Sequence, residues 1–369
     1  MKRAKFFSLG IMMLAVLVLA VGCGGGDEST TTTVGDGTED TAEPVDTAEP
    51  VDEDTAEPVE LQLSHQFASA TADEGDFRSR LAVKFAEEVA AKSNGQIKID
   101  VYPGSSLIGA KEQYDAMRQG ALDMSVFPLD YAGGQVPQFH ITLMPALVKS
   151  HAQADAWAAE PIGRKVEEIA ENNGIKILIW VWNAGGIGGK GEPIVSPQDI
   201  PDGIKMRAAG ASVEAMLKDH GAGIQSMPSS EMYSALQTGV LDAGITSASS
   251  FASYKLFEVV DYLTAPTNNT FWFMAEPLVI STKTWDTLSA DQQAVMEEVA
   301  AELQTFVNEA STADDARVAK LFTDEGVDVY EIDDAAYAKW VEAAKPQWDA
   351  FAKDVEGGQE LIDMALAVE

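Results

Sequence analysis

From residue 59 onward the chain alternates two hydrophobic periods. Residues 59–63 alternate apolar with polar positions and predict a first strand. Over residues 73–93, Phe77, Leu81, Phe85, Val89 and Ala90 recur at helical spacing, and Asn94-Gly95 stops the helix. Residues 97–102 read as a strand turned by Pro103-Gly104. A helix over 110–120 and a buried strand over 122–127 follow. Residues 152–172 read as a helix interrupted at Pro161, and residues 175–182 as an apolar strand. This βαβα rhythm predicts a mostly parallel sheet covered by helices.

The rhythm restarts after Trp182. Residues 194–196 and 204–206 read as short strands around the turn Pro201-Asp202-Gly203. Ser212 is placed to cap a helix ending at His220-Gly221. Ser229-Ser230-Glu231 is placed to start another, which Gly239 closes. Residues 240–246 and 271–281 read as strands. A long amphipathic helix begins near Ser289 and runs past Ala310, long enough to span two lobes. A late strand over 327–332 and two helices close the chain. A body of about 310 residues exceeds one simple core. The expected fold class is therefore α/β, with two lobes whose mostly parallel sheets are flanked by helices. Residues 59–183 plus about 270–312 are expected in the first lobe, and 184–269 plus about 313–369 in the second.

The first 58 residues carry neither period. Met1-Lys2-Arg3-Ala4-Lys5 is positively charged, and residues 9–21 form an apolar run of signal-peptide length. Cys23, the only cysteine, follows Leu19-Ala20-Val21-Gly22. This stretch resembles the lipobox of bacterial lipoproteins, although Ala20 stands where leucine is usual. The resemblance implies a signal peptide over 1–22 and lipid on Cys23, a membrane anchor when two chains are added. The alternative is an ordinary signal peptide with an incidental cysteine. Residues 23–58 read as an acidic tether with Thr-Ala-Glu-Pro-Val repeats starting at Thr41, Thr47 and Thr55. Without an aromatic residue it cannot bury enough surface to offset its ordering entropy. As a coil it spans on the order of 35 Å.

Charge narrows the partners. The chain carries a formal −34, which argues against nucleic acid because phosphate contacts need a basic surface. Gly186-Ile187-Gly188-Gly189-Lys190-Gly191 fits the dinucleotide fingerprint G-x-G-x-x-G. However, Glu192-Pro193-Ile194-Val195 follows as extended chain, not as the helix that would receive a pyrophosphate. The reading preferred for these glycines is a flexible crossing between lobes. His65, His140, His151 and His220 show no metal-ligand spacing, and no nucleophile motif is present. The sequence calls for no metal and no cofactor.

The informative segment runs from Asp199 to Asp242. It holds Asp199, Gly203, Lys205 and Arg207, then Pro228, Glu231, Tyr233, Ala235, Leu236, Gln237, Gly239 and Asp242. This pattern resembles the solute-binding proteins of tripartite ATP-independent periplasmic (TRAP) transporters. Pro103-Gly104 with Leu107-Ile108-Gly109, Met144-Pro145, residues 255–259 and Trp285-Asp286-Thr287-Leu288 extend the resemblance over nearly all of the body. It implies a two-lobed, hinged fold of the periplasmic-binding-protein kind. It further implies capture of a small organic acid and delivery to an ion-gradient-driven membrane permease, with no catalysis. An arginine fork suits a carboxylate, and the resemblance puts that role on Arg207. A structural ion pair is the alternative from the residues alone.

Other candidate contacts surround it. Gly210 leaves room beside Arg207, and Ser229 opens the next helix. Thr246 stands where many members carry asparagine. Trp182 and Asn183 begin the crossing segment, and Phe271 and Phe273 enter the returning strand, where an aromatic core role is the alternative. The second arginine of sialic-acid-binding members is absent near Ile187 and Gly188, leaving Lys190 as the nearest substitute for a second acid group. Two rivals remain: a solute sensor of the same fold for a signalling receptor, and a secreted enzyme acting on a small acid.

Overall fold

The computed structural model describes residues 58–368; the expected signal segment, Cys23 and most of the tether lie outside the described residues. The first half follows the hydrophobic periods. In order come β1 (Val59–His65), α1 (Phe77–Lys92), β2 (Ile97–Tyr102), α2 (Gln113–Gln119), β3 (Met124–Val126), α3 (His151–Ala156), α4 (Pro161–Asn172) and β4 (Ile175–Ile179). Pro161 opens α4, where its missing N–H costs nothing. Next come β5 (Trp182–Gly189), β6 (Lys205–Arg207), α5 (Ala211–Asp219), β7 (Gly223–Ile224), α6 (Met232–Gln237), β8 (Ala243–Ser247), α7 (Ala248–Ser253) and β9 (Tyr262–Ala265). The chain ends with β10 (Phe273–Ala275), β11 (Leu278–Ser281), α8 (Thr282–Trp285), α9 (Ala290–Asp324), β12 (Asp328–Glu331), α10 (Asp334–Asp354) and α11 (Gly358–Leu366).

Two sheets result, one per lobe. The first is ordered β2-β1-β3-β11-β4. On one face, α1 and α9 bury Leu81, Phe85, Met296 and Leu303 against Leu61 and Leu63. Met117, Phe127, Trp157 and Ile162 fill the other. The second sheet is ordered β12-β9-β5-β8-β6-β7, with β10 added to β5. The two-lobed α/β architecture agrees with the sequence reading, but each sheet is mixed rather than mostly parallel. β11 runs against β3 and β4, and β5 runs against β8, β9 and β10. These are the strands that enter from the opposite lobe, so they arrive in the reverse sense.

The crossings explain where strand boundaries differ from expectation. Residues 175–182 split at Trp180-Val181 into β4 and β5, and residues 271–281 split at Glu276-Pro277 into β10 and β11. A continuous apolar run conceals a change of sheet. The Glu276 N–H donates to the Val181 carbonyl at 2.7 Å, so the two crossings lie side by side. α9 is the third connection. Its 35 residues place Met296, Val299 and Val307 in the first lobe's core and Val318 and Phe322 in the second's. Ser289 and Gln292 form its capping box. At the C-terminus, Trp340 of α10 joins the second lobe's core, while Phe351 and the α11 residues Leu361 and Ile362 pack with the first. No described helix is long and apolar enough to cross a membrane.

The glycine-rich crossing is not flexible. β5 is an interior strand, buried along its whole length. A Cβ on Gly185 would meet a Trp272 ring carbon at 2.2 Å and the Thr246 carbonyl oxygen at 2.6 Å; one on Gly186 would meet the Thr264 carbonyl oxygen at 2.3 Å. Glycine is there because the neighbouring backbone approaches so closely. Gly185→Ala is therefore expected to cost about 1–3 kcal/mol by overpacking. Thermal unfolding measures it, and an unchanged Tm would contradict the close-approach account.

Candidate functional site

Arg207 is delivered by a strand that its motif neighbours hold in register. Asp199 accepts from the Ser196 N–H and hydroxyl at 2.7 and 2.9 Å, closing the preceding turn. Gly203 adopts the left-handed φ of 74° that the reversal needs. The Lys205 N–H donates to Asp242 at 3.0 Å, and its ammonium lies 3.4 Å from the same carboxylate. β6 is thereby pinned parallel to β8, with Arg207 opposite Gly244. Arg207 ends β6, and the carboxyl ends of parallel strands are where open α/β sheets bind ligands.

The guanidinium is almost wholly buried, at 1% exposure. Its Nε donates to the Met227 carbonyl at 2.9 Å, Nη1 to the Ile245 carbonyl at 2.7 Å and Nη2 to the Tyr131 hydroxyl at 3.1 Å. Met227 and Ile245 belong to the second lobe. Tyr131 belongs to the 3-10 turn Leu129–Ala132, which follows β3 in the first. Arg207 thus bridges the lobes. A guanidinium has five N–H donors, so one remains on each terminal nitrogen. Among the described residues, only Arg78 and Arg317 form arginine ion pairs; Arg207 meets no carboxylate.

Arg78, in the first turn of α1, is the instructive contrast. It donates from Nε and Nη2 to Asp76 at 2.9 and 2.6 Å and from Nη1 to Glu276 at 2.6 Å. It also donates to the Ser247 and Ser250 hydroxyls, both at 3.0 Å. All five donors are spent and two carboxylates offset the charge. Burial pushes the Asp76 carboxyl up, but the charge and hydrogen bonds of Arg78 outweigh it and hold it below the usual range. Burial raises Glu276 despite the same arginine. Arg78 is closed to any ligand. Arg207 keeps a charge, a fork and no protein acid, which in a buried site is costly without an anionic partner.

A cavity of about 190 Å³ lies between the lobes, lined by Tyr131 and Met227, two of the groups that hold Arg207. Lys111, Asp130, Tyr131 and His140 line it from the first lobe, and Gly210 and Glu214 from the second. It is smaller than the roughly 300–1,000 Å³ of drug-sized ligand pockets, which suits a molecule of a few carbons. Gly210 has a φ of 89° that side chains rarely adopt, and a Cβ there would meet Leu143 at 2.7 Å. Lys111 is in no ion pair among the described residues. His140 Nδ1 lies 2.7 Å from Asp130. Burial lowers that imidazole's pKa, but the hydrogen bond and charge of Asp130 reverse the effect and leave it raised. Burial and the Asp130 charge push the Glu214 carboxyl up, opposed by Ser226 and Arg207. A larger cavity of about 540 Å³ lies between α1, α7 and α9. Of its two arginines, Arg317 is paired with Asp314, and Arg80 donates through Nε to the Ala72 carbonyl.

The expected contacts divide in two. Gly210 lines the cavity, and Thr246 follows Ile245 in β8, buried beside the guanidinium's anchor. Ser229 is buried next to Tyr254. Asn183 belongs to the Arg78 group, donating to Glu276 at 2.7 Å. The aromatic candidates lie in cores away from the cavity. Trp182 packs between Trp157 and Trp180, and Phe271 stacks on Trp340 at 3.9 Å. Phe273 meets His151 edge-on at 5.3 Å. Lys190 donates to the Leu236 carbonyl at 2.6 Å and does not line the cavity, whereas Lys111 does. Two residues have no motif to mark them. Tyr131 completes the arginine's cage, and Gln66 is buried with both side-chain polar atoms unpartnered. Their signal was position alone: both follow the carboxyl ends of parallel strands, β1 and β3.

Residues 68–354 match the family model of bacterial extracellular solute-binding proteins, family 7. The chain belongs to this family. A solute-binding protein of Albidiferax ferrireducens is 42% identical over 83% of this chain and 90% of its own length. The C4-dicarboxylate-binding periplasmic protein DctP of Rhodobacter capsulatus is 28% identical over 81% of this chain and 88% of its own. The crystal structure of a TRAP periplasmic solute-binding protein from Rhodoferax ferrireducens, with bound malonate, superposes with a TM-score of 0.81 at 42% identity. It covers 83% of this chain and 96% of that one. The resemblance to TRAP solute-binding proteins drawn from the sequence motifs therefore stands.

His65, at the end of β1, gives a testable property of this interior. It is fully buried, and neither ring nitrogen has a partner. Burial holds its pKa down to about 4, against a small opposing pull from Asp76. The folded state thus favours the neutral ring. That stabilisation is complete above the unfolded value near 6.5 and is lost as pH falls toward 4. His65→Asn should flatten the fall in Tm between about pH 6.5 and 4. Parallel Tm–pH curves for variant and wild type would contradict this.

Proposed function

We propose that the protein captures a small carboxylate between its lobes and delivers it to the membrane permease of an ion-gradient-driven TRAP transporter. In this reading it is exported, held at the membrane by lipid on Cys23, and returns its ligand unchanged. The observation that carries the carboxylate is the buried Arg207, with one N–H left on each terminal nitrogen and no acid to meet it. A carboxylate accepts two parallel bonds from such a fork. The relatives support the chemistry: one solved structure holds malonate, and another relative is named for C4-dicarboxylates.

Closure follows from the contacts. The carboxylate bonds Arg207 of the second lobe, and Tyr131 of the first meets the same arginine. The ligand favours the closed form by the contacts available only there. Asn183, Thr246 and Ser229 hold polar groups around this interior, and Gln66 offers a donor and an acceptor to the rest of the ligand. Lys111 is the group on the cavity wall suited to a second carboxylate.

Calorimetric titration with malonate, succinate and L-malate tests the reading. Arg207→Ala should weaken binding by about thirtyfold or more, and Arg207→Lys nearly as much because the fork is lost. Unchanged affinities would remove the site. Lys111→Ala should weaken these diacids while sparing a monoacid such as lactate; equal losses for both classes would exclude Lys111 from the second group. Affinity should also rise as pH falls from about 7.5 to about 5.5. Glu214 and His140 both have pKa values raised above the ordinary range, so acidification protonates each more readily than a free group and makes the wall less repellent to an anion. Weaker binding over that interval would contradict the electrostatic account.

A further inference from the structure

Arg78 joins the lobes by a second route, and its part in ligand capture depends on Arg207 being the carboxylate anchor. Its helix, α1, packs on the first sheet, whereas Ser247 ends β8 and Ser250 lies in α7, both in the second lobe. The two serine bonds cross the cleft at 3.0 Å each, and the serine hydroxyls are themselves 2.9 Å apart. The remaining donors go to Asp76, the N-cap of α1, and to Glu276, in the crossing between β10 and β11. Glu276 also accepts from Asn183 of β5, whose carbonyl oxygen accepts from Ser249 at 3.2 Å. One guanidinium therefore touches the first lobe, the hinge and the second lobe.

The division of partners matters. If the lobes part, Arg78 keeps both carboxylates and its place over the Phe67 ring, 3.8 Å away. It loses only two neutral hydroxyls, which water replaces. A charge left neutralised in both states makes a contact that breaks and re-forms at little cost, unlike an ion pair drawn across the cleft. Arg78 itself has no donor to spare for a ligand.

We propose that Arg78 is the positioning residue of closure. Its bonds to Ser247 and Ser250 form only when the lobes meet, stabilise the closed form, and so set affinity at Arg207 without touching the ligand. Apparent affinity scales with the population of the competent state, so a weaker latch weakens binding.

The test is a Ser247→Ala/Ser250→Ala double variant of the full chain, which leaves Arg78 its carboxylates. Malonate, succinate and L-malate are titrated separately and their association and dissociation followed by stopped flow. The dissociation rate should rise at least tenfold with the association rate unchanged, since bonds to charged groups are the stronger class. Ser247 also caps α7, accepting from the Ser250 N–H at 3.3 Å, so the double variant should melt lower by the loss of that cap. Ser250→Ala alone should leave the ligand-free melting temperature unmoved and still dissociate faster. Ser250→Thr, which keeps a hydroxyl, should dissociate like wild type. A wild-type dissociation rate in the double variant overturns the latch, as does a wild-type dissociation rate in Ser250→Ala alone. Arg207→Lys runs alongside. If it loses binding while the serine variant keeps it, the latch alone fails; if it binds like wild type, the carboxylate reading fails and takes the latch with it.

Discussion

Arg207 carries a positive charge into an interior where no described carboxylate meets it. Two carbonyls and a phenol hold the guanidinium in place but do not neutralise it. Such a charge is tolerated where the protein supplies fixed dipoles and expects an anion. The surrounding architecture serves that condition. β6 is pinned by Lys205 and Asp242, so the fork has one direction. Tyr131 reaches it from the other lobe, so its hydrogen bonding depends on closure. Gly210 lines the cavity beside these groups, in a left-handed backbone that packs tightly on Leu143.

The two buried arginines show how one chain assigns one chemistry to two jobs. Arg78 has all its donors used and two acids beside it; Arg207 has neither. Counting donors separates Arg78 from Arg207 where burial cannot, because both are almost fully enclosed. The pair also shares an environment. Glu276, bonded to Arg78, feels the charge of Arg207 as well. The Glu276 carboxylate thus lies in the field of the proposed ligand anchor.

Much of this was legible in the residues. Alternation and helical spacing located most elements, and the long helix expected to begin near Ser289 has that residue as its N-cap. The motif from Asp199 to Asp242 singled out Arg207. What stayed hidden has physical causes. The strands 175–182 and 271–281 are apolar throughout, so nothing in their pattern marks the change of sheet at Val181 and Glu276. Gly185 and Gly186 look like a loop because a strand that must accept backbone contacts within 3 Å of a Cβ position has no side chains to alternate. Trp182, Phe271 and Phe273 look like a ligand's aromatic wall, but packing them in the cores of the lobes satisfies the same hydrophobicity. Tyr131 and Gln66 have no motif, since their roles come from strand ends that only the topology brings together.

A crystal structure of the protein with malonate in the cleft tests the central claim most directly. The account predicts the two oxygens of one carboxylate within hydrogen-bonding distance of Nη1 and Nη2 of Arg207, with Tyr131 still on the same guanidinium. Malonate held elsewhere, or Arg207 turned onto a protein carboxylate while malonate is bound, would contradict it.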